Sequence, residues 1–406
     1  MKRVAAALGV GLLAACGPSE PALTELVLWH AYRGAEKAAL EAVVDIYNAD
    51  AAERGVRLKT LAVPFDAYAD KISAAAPRGR GPDLFIFGHD RLGGWVEAGD
   101  TVEPIGFFVD DAITSRHPPE MLEPLTYRGA LYGLPVNFKT WALIYNRELV
   151  PDPPRTTEDL ERIAAPLTDL DRGEFGFFYD YNKFDFHAIL INGFGGGVFE
   201  GRAQPAINQT ANRRAYEQLL RWRNDLALMP PDPSSALVAS LFNQGRVGMT
   251  ISGPWFFSEA DPALDIGVAR LPQLSAAQDA PMRPWLIVEA VFVTAGGQNV
   301  DAAFDAATFL TSATAGRILA RDGGQLPANR AVLDDPELAD DPVISGFRDQ
   351  LNAIAVMPNA PEMALVWSPA EAATLKILRG TNSPEDALDE AQASLTAAID
   401  ALNRVR

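Results

Sequence analysis

The sequence predicts an α/β protein of two domains. Apolar strand patterns at residues 25–29 and 57–63 flank a helical pattern at residues 34–54. This alternation is typical of βαβ units, of a largely parallel sheet, and of functional residues at the carboxyl ends of strands. The 406 residues exceed one ordinary hydrophobic core, which favours two domains. No linker separates two halves, so we expect the chain to cross between lobes more than once around a hinged cleft.

The first predicted helix has a single apolar face. Leu40, Val43, Val44 and Tyr47 stand at positions i, i+3, i+4 and i+7, which places them on one side of a helix. A Gly- and Pro-containing breaker at residues 78–82 precedes an apolar run. Further strands are predicted at residues 83–87, 141–145, 248–251 and 285–294.

The last predicted helix begins with a capping sequence. Ser383 takes the N-cap position, Pro384 the first helical position, and two acids follow in the first turn. Its apolar stripe consists of Leu388, Ala391, Leu395, Ile399 and Leu402.

The N-terminus has the pattern of a secretion signal. Lys2 and Arg3 precede a short apolar run, and Leu-Ala-Ala leads into Cys16, which resembles the bacterial lipobox. We expect a signal peptide at residues 1–15, lipidation of Cys16 and a tether at residues 16–23. Cys16 is the only cysteine, so disulfides, cysteine-rich zinc clusters and cysteine nucleophiles are excluded. After the signal peptide, the sequence contains no run of 18 apolar residues, so it predicts no membrane-spanning helix there.

The amino-acid composition limits the classes of binding partner that the sequence favours. The chain is 48% hydrophobic and 22% charged, which is typical of a globular protein. Its 53 acidic and 35 basic residues give a formal charge of −18, which argues against nucleic acid and anionic lipid as partners. We interpret the excess of acids as a solubilising surface.

No pattern of catalytic residues stands out. The four histidines lack metal-ligand spacing, the glycine run at residues 193–197 lacks both phosphate-binding fingerprints, and no G-x-S-x-G elbow is present. We therefore expect no metal and no cofactor. Glycoside hydrolysis by paired carboxylates stays open, because separation in space decides that chemistry. A lipid-anchored carbohydrate-active enzyme is therefore the alternative class.

Five segments together resemble one family, the maltose-binding-like solute-binding proteins of ABC importers. They are LVLWHAYRGAE (26–36), GPDLFIFGHDRLGGWVEAG (81–99), YRGALYGLPVNFKTWALIYNRELVPDPP (127–154), FNQGRVGMTISGPW (242–255) and MPNAPEMALVW (357–367). Their order and spacing, over most of the mature chain, are more specific than any one of them.

The resemblance implies a two-lobed periplasmic-binding-protein fold of type II, with a βαβ sheet and flanking helices in each lobe. One lobe would take residues 24–138 plus 287–335, and the other residues 141–285 plus 342–406. It implies capture of a maltose- or trehalose-like oligosaccharide by a monomer that is not an enzyme, and delivery to the transmembrane subunits of an ABC permease. The protein would be lipid-anchored at the periplasmic or cell-surface face of the membrane. The alternative ligand is a polyol or a glycerol-phosphate compound.

Sugar sites combine aromatic faces with charged hydrogen-bonding groups. Trp255 follows the strand at residues 248–251 directly, so we expect it at a strand's carboxyl end, and it matches the family's stacking tryptophan. Trp367 matches a second stacking tryptophan. Asp90 and Arg91 match the family's acid and base that hold sugar hydroxyls, and Phe87 stands where maltose binders often have tryptophan.

Several positions depart from the family pattern. Lys139 stands where maltose binders carry glutamate, Glu371 aligns near a family arginine, and Arg33 stands where an acid is usual. Tyr32 supplies an aromatic ring that could line the cleft. Asp185 lies where the family has an acid, and it either accepts from sugar hydroxyls or caps a turn. The departures at Lys139 and Glu371 put maltose itself in doubt as the ligand.

One carboxylate is notable independently of the family resemblance. Glu289 lies inside the apolar strand predicted at residues 285–294. A buried carboxylate must find partners or lose its charge. We therefore expect Glu289 either to contact the ligand or to pair with a cationic neighbour.

Overall fold

The computed structural model describes residues 23–201 and 203–405. The predicted signal peptide, Cys16 and the tether up to residue 22 lie outside the described residues. The strands are β1 Thr24–His30, β2 Val56–Ala62, β3 Leu84–Gly88, β4 Thr126–Tyr127, β5 Ala130–Leu131, β6 Gly133–Lys139, β7 Ala142–Asn146, β8 Phe175–Phe177, β9 Phe199–Glu200, β10 Gln204–Pro205, β11 Val247–Ser252, β12 Ile266–Ala269, β13 Gln273–Leu274, β14 Ala280–Pro281, β15 Trp285–Val293, β16 Leu326–Pro327 and β17 Ala355–Val356.

The α-helices lie between these strands and after them. They are α1 Gly34–Ala51, α2 Phe65–Ala75, α3 Leu92–Ala98, α4 Asp111–Thr114, α5 Pro119–Leu122, α6 Thr157–Ala164, α7 Phe184–Gly193, α8 Thr210–Leu220, α9 Ser235–Asn243, α10 Val300–Leu310, α11 Ala313–Arg321, α12 Arg330–Leu333, α13 Pro336–Ala339, α14 Pro342–Gln350, α15 Trp367–Leu378 and α16 Pro384–Val405. Within the described residues, no helix combines the length and the apolar character that crossing a membrane requires.

The larger sheet has the strand order β16-β6-β15-β3-β1-β2, with β17 attached to β15. β1 pairs in parallel with both β2 and β3. β15 runs antiparallel to β3 and to β6, and β16 runs antiparallel to β6. The sheet is therefore mixed, and the expectation of a largely parallel sheet is wrong.

The path of the chain explains the antiparallel strands. Lys139, the last residue of β6, pairs with Ile287 near the start of β15. The chain thus leaves the larger sheet through β6 and re-enters it through β15 at the same end. Two neighbouring strands that leave and enter at one end must run in opposite directions.

The second sheet has the order β12-β7-β11-β8. It starts at Ala142, three residues after β6 ends. β11 runs parallel to β8 and antiparallel to β7, and every residue of β7 and β11 is buried. The strands predicted at residues 141–145 and 248–251 are the central strands of this sheet, so the α/β class is confirmed.

The helices bury the faces that the sequence predicted. Leu40, Val43, Val44 and Tyr47 of α1 are all buried, in a cluster that also contains Leu28 of β1. In α16, the stripe from Leu388 to Ile399 is buried and Leu402 is half-buried. The Oγ of Ser383 accepts the backbone N–H of Asp386 at 3.1 Å, which confirms the predicted cap.

Candidate ligand cleft

The carboxyl ends of three parallel strands define one edge of the larger sheet. β1 leads into Tyr32, β2 into Phe65, and β3 into Asp90. The pair His30 with Ala62 holds the ends of β1 and β2 side by side, and Trp29 pairs with Phe85, so β3 continues three residues past this pair before it ends at Gly88. In α/β sheets, ligands bind outside this edge, so the side chains that follow these strands form one wall of the candidate cleft.

A hydrogen-bonded charge cluster lies at this wall. The Oη of Tyr32 donates to Glu289 Oε2 at 3.1 Å and accepts from Asn137 Nδ2 at 2.7 Å. The Nζ of Lys139 lies 3.1 Å from Glu289 Oε1 and 3.9 Å from Glu36 Oε1. Glu289 thus has the cationic neighbour that one of the two sequence expectations required.

The protonation of this cluster follows from burial and from its own charges. Burial favours loss of the proton from Lys139, but the carboxylates of Glu289 and Glu36 outweigh it and raise the pKa of the ammonium. Burial raises the pKa of Glu36, although Lys139 opposes the shift. Burial and the charge of Glu289 raise the pKa of Tyr32 well above its ordinary value, so Tyr32 stays a neutral donor.

Asp90 and Arg91 occupy a 3₁₀ turn, His89–Arg91, directly after β3. The Nε of Arg91 lies 3.3 Å from Asp90 Oδ2, and both side chains line a cavity of about 210 Å³ together with Trp95, Thr101 and Pro361. Burial raises the pKa of Asp90 to about 6, against the opposing effect of Arg91. The acid and base predicted to hold sugar hydroxyls therefore face the same space.

His89 fixes the position of this turn. Its Nδ1 accepts the backbone N–H of Val288 at 3.0 Å, and its Nε2 donates to the carbonyl of Met357 at 2.8 Å. One ring nitrogen must accept while the other donates, which requires the neutral imidazole. Burial lowers the pKa of His89 to about 4, so the neutral form persists at neutral pH.

Phe87 is less accessible than its predicted role requires. Its side chain is buried, with only 7% of the residue exposed. The ring of Phe65 stacks on it, while Tyr68 and Trp95 pack edge-on against it. In this conformation Phe65, which the sequence analysis did not single out, covers the ring predicted to contact sugar.

On the second sheet, Trp255 follows β11 in the 3₁₀ turn Pro254–Ser258. It is half-buried, and Trp141 meets it edge-on at a centroid distance of 5.6 Å. Trp255 and Phe186 also line a small cavity of about 50 Å³. Asp185, one residue earlier in α7, is half-buried, and burial raises its pKa to about 6, against the effect of Lys183.

Trp367 begins α15 and is half-buried. Trp285 and Phe184 pack against it in T-shaped geometry at 5.9 and 6.5 Å. Glu371, one turn further along α15, is exposed. Arg33, just before α1, is also exposed, and its charge acts on Glu36 and Lys139.

The structure brings some of the predicted site residues into contact with one another and leaves others apart. Tyr32, Lys139 and Glu289 are in direct contact, and Asp90 and Arg91 pair with each other. The described residues contain no cluster of His, Cys, Asp and Glu that could hold a metal ion. The sequence analysis missed the following contact partners: Glu36, Phe65, Asn137 and Trp141. Phe65 had a usable signal, because it comes directly after a strand and a proline.

The fold defined by these elements is that of a two-lobed binding protein. Over 92% of this chain and 100% of the other, the fold matches the maltotriose-binding protein of Thermus thermophilus, solved with maltotriose, with a TM-score of 0.82 and 27% identity. A cyclo/maltodextrin-binding protein solved with maltotetraose matches with a TM-score of 0.81 and 26% identity, over 94% of this chain and 98% of that one.

Sequence comparison gives the family. The family model described as bacterial extracellular solute-binding protein matches residues 33–317. The maltotriose-binding protein of Pyrococcus abyssi is 30% identical over 87% of this chain and 78% of its own length. The galactooligosaccharide-binding protein of Bacillus subtilis is 26% identical over 93% of this chain and 92% of its own. The chain belongs to the bacterial extracellular solute-binding protein family.

Proposed function

We propose that this protein captures a short oligosaccharide outside the cytoplasmic membrane and delivers it to the transmembrane subunits of an ABC importer. The observation that carries the proposal is the combination of half-buried tryptophan rings, Trp255 and Trp367, with the charged pair Asp90 and Arg91. Aromatic faces hold the apolar faces of pyranose rings, and charged groups make directional hydrogen bonds to hydroxyls. The site residues predicted from the sequence are our candidates for these contacts.

An unpaired polar atom supports a polar ligand. The buried indole Nε1 of Trp367 has no hydrogen-bond partner among the described residues. A buried donor without a partner is costly, so a ligand that accepts from such donors gains affinity by satisfying them. Sugar hydroxyl and ring oxygens are acceptors of this kind.

The relatives support an oligosaccharide class rather than one sugar. Their names specify maltotriose in one case and galactooligosaccharide in another, at 30% and 26% identity. The charge cluster around Lys139 occupies the position at which the sequence departs from maltose binders. We therefore assign the class of ligand and leave the linkage to experiment.

Capture would proceed by hinge closure. We assign residues 24–138 plus 287–335 to one lobe and residues 141–285 plus 342–406 to the other, which agrees with the two separate sheets except for β17, which pairs with the start of β15. Of the three crossings that this assignment implies, the two at residues 138–141 and 285–287 lie next to the pair formed by Lys139 and Ile287. A sugar that touches both lobes stabilises the closed form in proportion to its preference for that form.

We further propose that binding is the whole activity, without turnover. Asp90 and Glu289 each have a basic nitrogen within 3.3 Å, an arrangement that suits charge-assisted binding of hydroxyls. The protein would work as a monomer, held at the periplasmic or cell-surface face of the membrane by a lipid on Cys16. The extracellular family supports this location.

The test is a melting-temperature panel followed by a search for products. We expect maltooligosaccharides, galactooligosaccharides or trehalose to raise the melting temperature, because a ligand that binds only the folded form stabilises it by mass action. Polyols and glycerol 3-phosphate test the alternative ligands. If only those compounds stabilise the protein, the oligosaccharide assignment is wrong. Chromatography of each stabilising sugar after incubation then separates binding from catalysis, since turnover that is lost in an Asp90→Asn or Glu289→Gln variant would contradict pure binding.

A further inference from the structure

Phe65 is a large apolar side chain in an unusual place. It is 63% exposed and begins α2, three residues after β2 ends. The last residue of β2, Ala62, pairs with His30 in the parallel register of β1 and β2. Phe65 therefore lies at the same sheet edge as Tyr32 and Asp90, on the wall of the candidate cleft.

The ring of Phe65 is held on a rigid aromatic base. Its plane lies within 1° of the plane of Phe87, at a centroid distance of 6.0 Å. Tyr68 and Trp95 in turn hold Phe87 edge-on at 5.3 and 5.5 Å. A scattered exposed phenylalanine needs no explanation, but this ring lies parallel to a buried aromatic ring while most of the residue is exposed to solvent.

Such a surface suits the apolar face of a sugar ring. Stacking needs a flat π-surface that loses little conformational freedom on binding, and the aromatic base beneath Phe65 already restricts its ring. Phe87 is buried, so the accessible aromatic surface at this point of the wall belongs to Phe65. Asp66, the next residue, is exposed and supplies a polar rim.

Phe65 is exposed, whereas the neighbouring rings of Tyr32, Phe87 and Trp95 are buried, so it lies furthest toward solvent. We propose that Phe65 is a stacking platform for one additional sugar unit at the outer end of the cleft. The protein would then discriminate among oligosaccharides by chain length, because only longer ligands reach this ring. This inference rests on the proposed oligosaccharide function and specifies it further.

The experiment compares Phe65→Ala, Phe65→Trp and a matched control, Phe107→Ala. Phe107 is 94% exposed and packs edge-on against Phe108, away from the strand ends of the cleft wall. Calorimetric titration would use the series maltose, maltotriose and maltotetraose, or the galactooligosaccharide series if only that series stabilises the wild type. A melting curve of each ligand-free variant reports on folding.

We expect Phe65→Ala to weaken binding of the longest sugar about fivefold to tenfold and to leave the shortest sugar within about twofold, the range of one aromatic contact. Phe65→Trp should keep the length preference, and Phe107→Ala should match the wild type. The proposal is overturned if Phe65→Ala binds every length as the wild type does, or loses the same factor at every length. Either result leaves the proposed function intact, whereas a wild type that binds neither sugar series overturns both.

Discussion

Trp255 owes its position to the residues just before it. β11 ends at Ser252, and the chain turns through Gly253 and Pro254 into a 3₁₀ helix. A Cβ atom on Gly253 would lie 2.1 Å from the indole of Trp255, so the ring folds back over this glycine. A side chain at position 253 would therefore displace the ring from this position.

We predict that Trp255→Ala weakens sugar binding by about 2 kcal/mol or more, roughly thirtyfold, which is typical of an anchor residue at a binding site. The change removes a stacking face and much of the buried apolar area. Calorimetric titration with the best sugar of the panel measures the loss. Trp255→Phe keeps a ring and should retain part of the affinity. A ligand-free Trp255→Ala variant that melts far lower yet binds normally would identify Trp255 as a core residue instead.

The raised pKa of Asp90 predicts a pH dependence of binding. Its carboxyl has a pKa of about 6 instead of 3.8, so it takes up a proton as the pH falls through 6. A protonated carboxyl no longer offers a charged acceptor to hydroxyls, and affinity should fall between about pH 7.5 and pH 5. Calorimetry in two buffers of different ionisation enthalpy should detect release of a fraction of a proton on binding near pH 6.

The contribution of Asp90 to folding stability changes with pH in the direction opposite to its contribution to binding. The folded, ligand-free protein binds this proton more tightly than the unfolded chain does, so the contribution of Asp90 to stability is greatest below pH 3.8 and is lost as the pH rises through 6. Asp90→Asn should remove most of the pH dependence of binding. The raised pKa of Asp185, also about 6, calls for a parallel Asp185→Asn control. Wild-type affinity that stays constant from about pH 5 to pH 7.5 would contradict the prediction.

At the scale of elements, α3 packs closely against the chain near residue 360. The N–H of Gly93 donates to the carbonyl of Asn359 at 2.9 Å. A Cβ on Gly93 would lie 2.3 Å from that oxygen and 2.8 Å from Pro361 Cδ, whereas a Cβ on Gly94 would meet nothing within 4 Å. The two neighbouring glycines of this helix thus differ in their surroundings: position 93 has no room for a side chain, whereas position 94 does.

This contrast gives a paired prediction. Gly93→Ala should destabilise the protein by about 1–3 kcal/mol, the usual cost of overpacking against backbone. Gly94→Ala should be neutral or stabilising by up to about 1 kcal/mol, since alanine favours the helix over glycine. Denaturant unfolding monitored by circular dichroism measures both. Equal effects of the two changes would show that the close approach at Gly93 is relaxed at little cost.

At the scale of the whole molecule, two of the crossings between the two separate sheets lie beside one register pair, Lys139 with Ile287. β6 and β15 lie side by side in the larger sheet, and the residues beyond their adjoining ends belong to the segments that lead to the second sheet. Adjacent crossings of this kind allow the lobes to rotate about one axis while each sheet keeps its hydrogen bonds. In the proposed capture, the ligand would act on the equilibrium between open and closed forms.

The lipobox-like sequence at the N-terminus leads to a prediction about membrane anchoring of the intact protein. Cys16→Ser should prevent lipidation, because the thiol that would carry the lipid is absent, and the protein should lose stable association with lipid. Detergent phase separation of protein made in a bacterium measures this, with the wild type expected in the detergent phase. Wild type found wholly in the aqueous phase would contradict the lipid anchor. Sugar binding by the variant should match the wild type, since Cys16 lies seven residues before the described part of the chain.

The sequence by itself determined the α/β class, six of the strands, the first and last helices, and the cap of α16. These features depend on periodicity and on local capping, which the chain carries within windows of a few residues. It also placed candidate side chains after strands, which is why Trp255 and Asp90 could be named in advance. Their contact with a sugar stays a prediction.

Only the tertiary structure decided which side chains meet. The hydrogen bond from Tyr32 to Glu289 joins residues 257 positions apart, and it depends on strand order and register. The direction of β15 depends on the end at which the chain re-enters the larger sheet. The burial of Phe87 beneath Phe65 depends on the packing of α2 against β3. Such long-range pairings leave no periodic trace in the sequence, because the partners lie on different elements and their spacing along the chain has no fixed value.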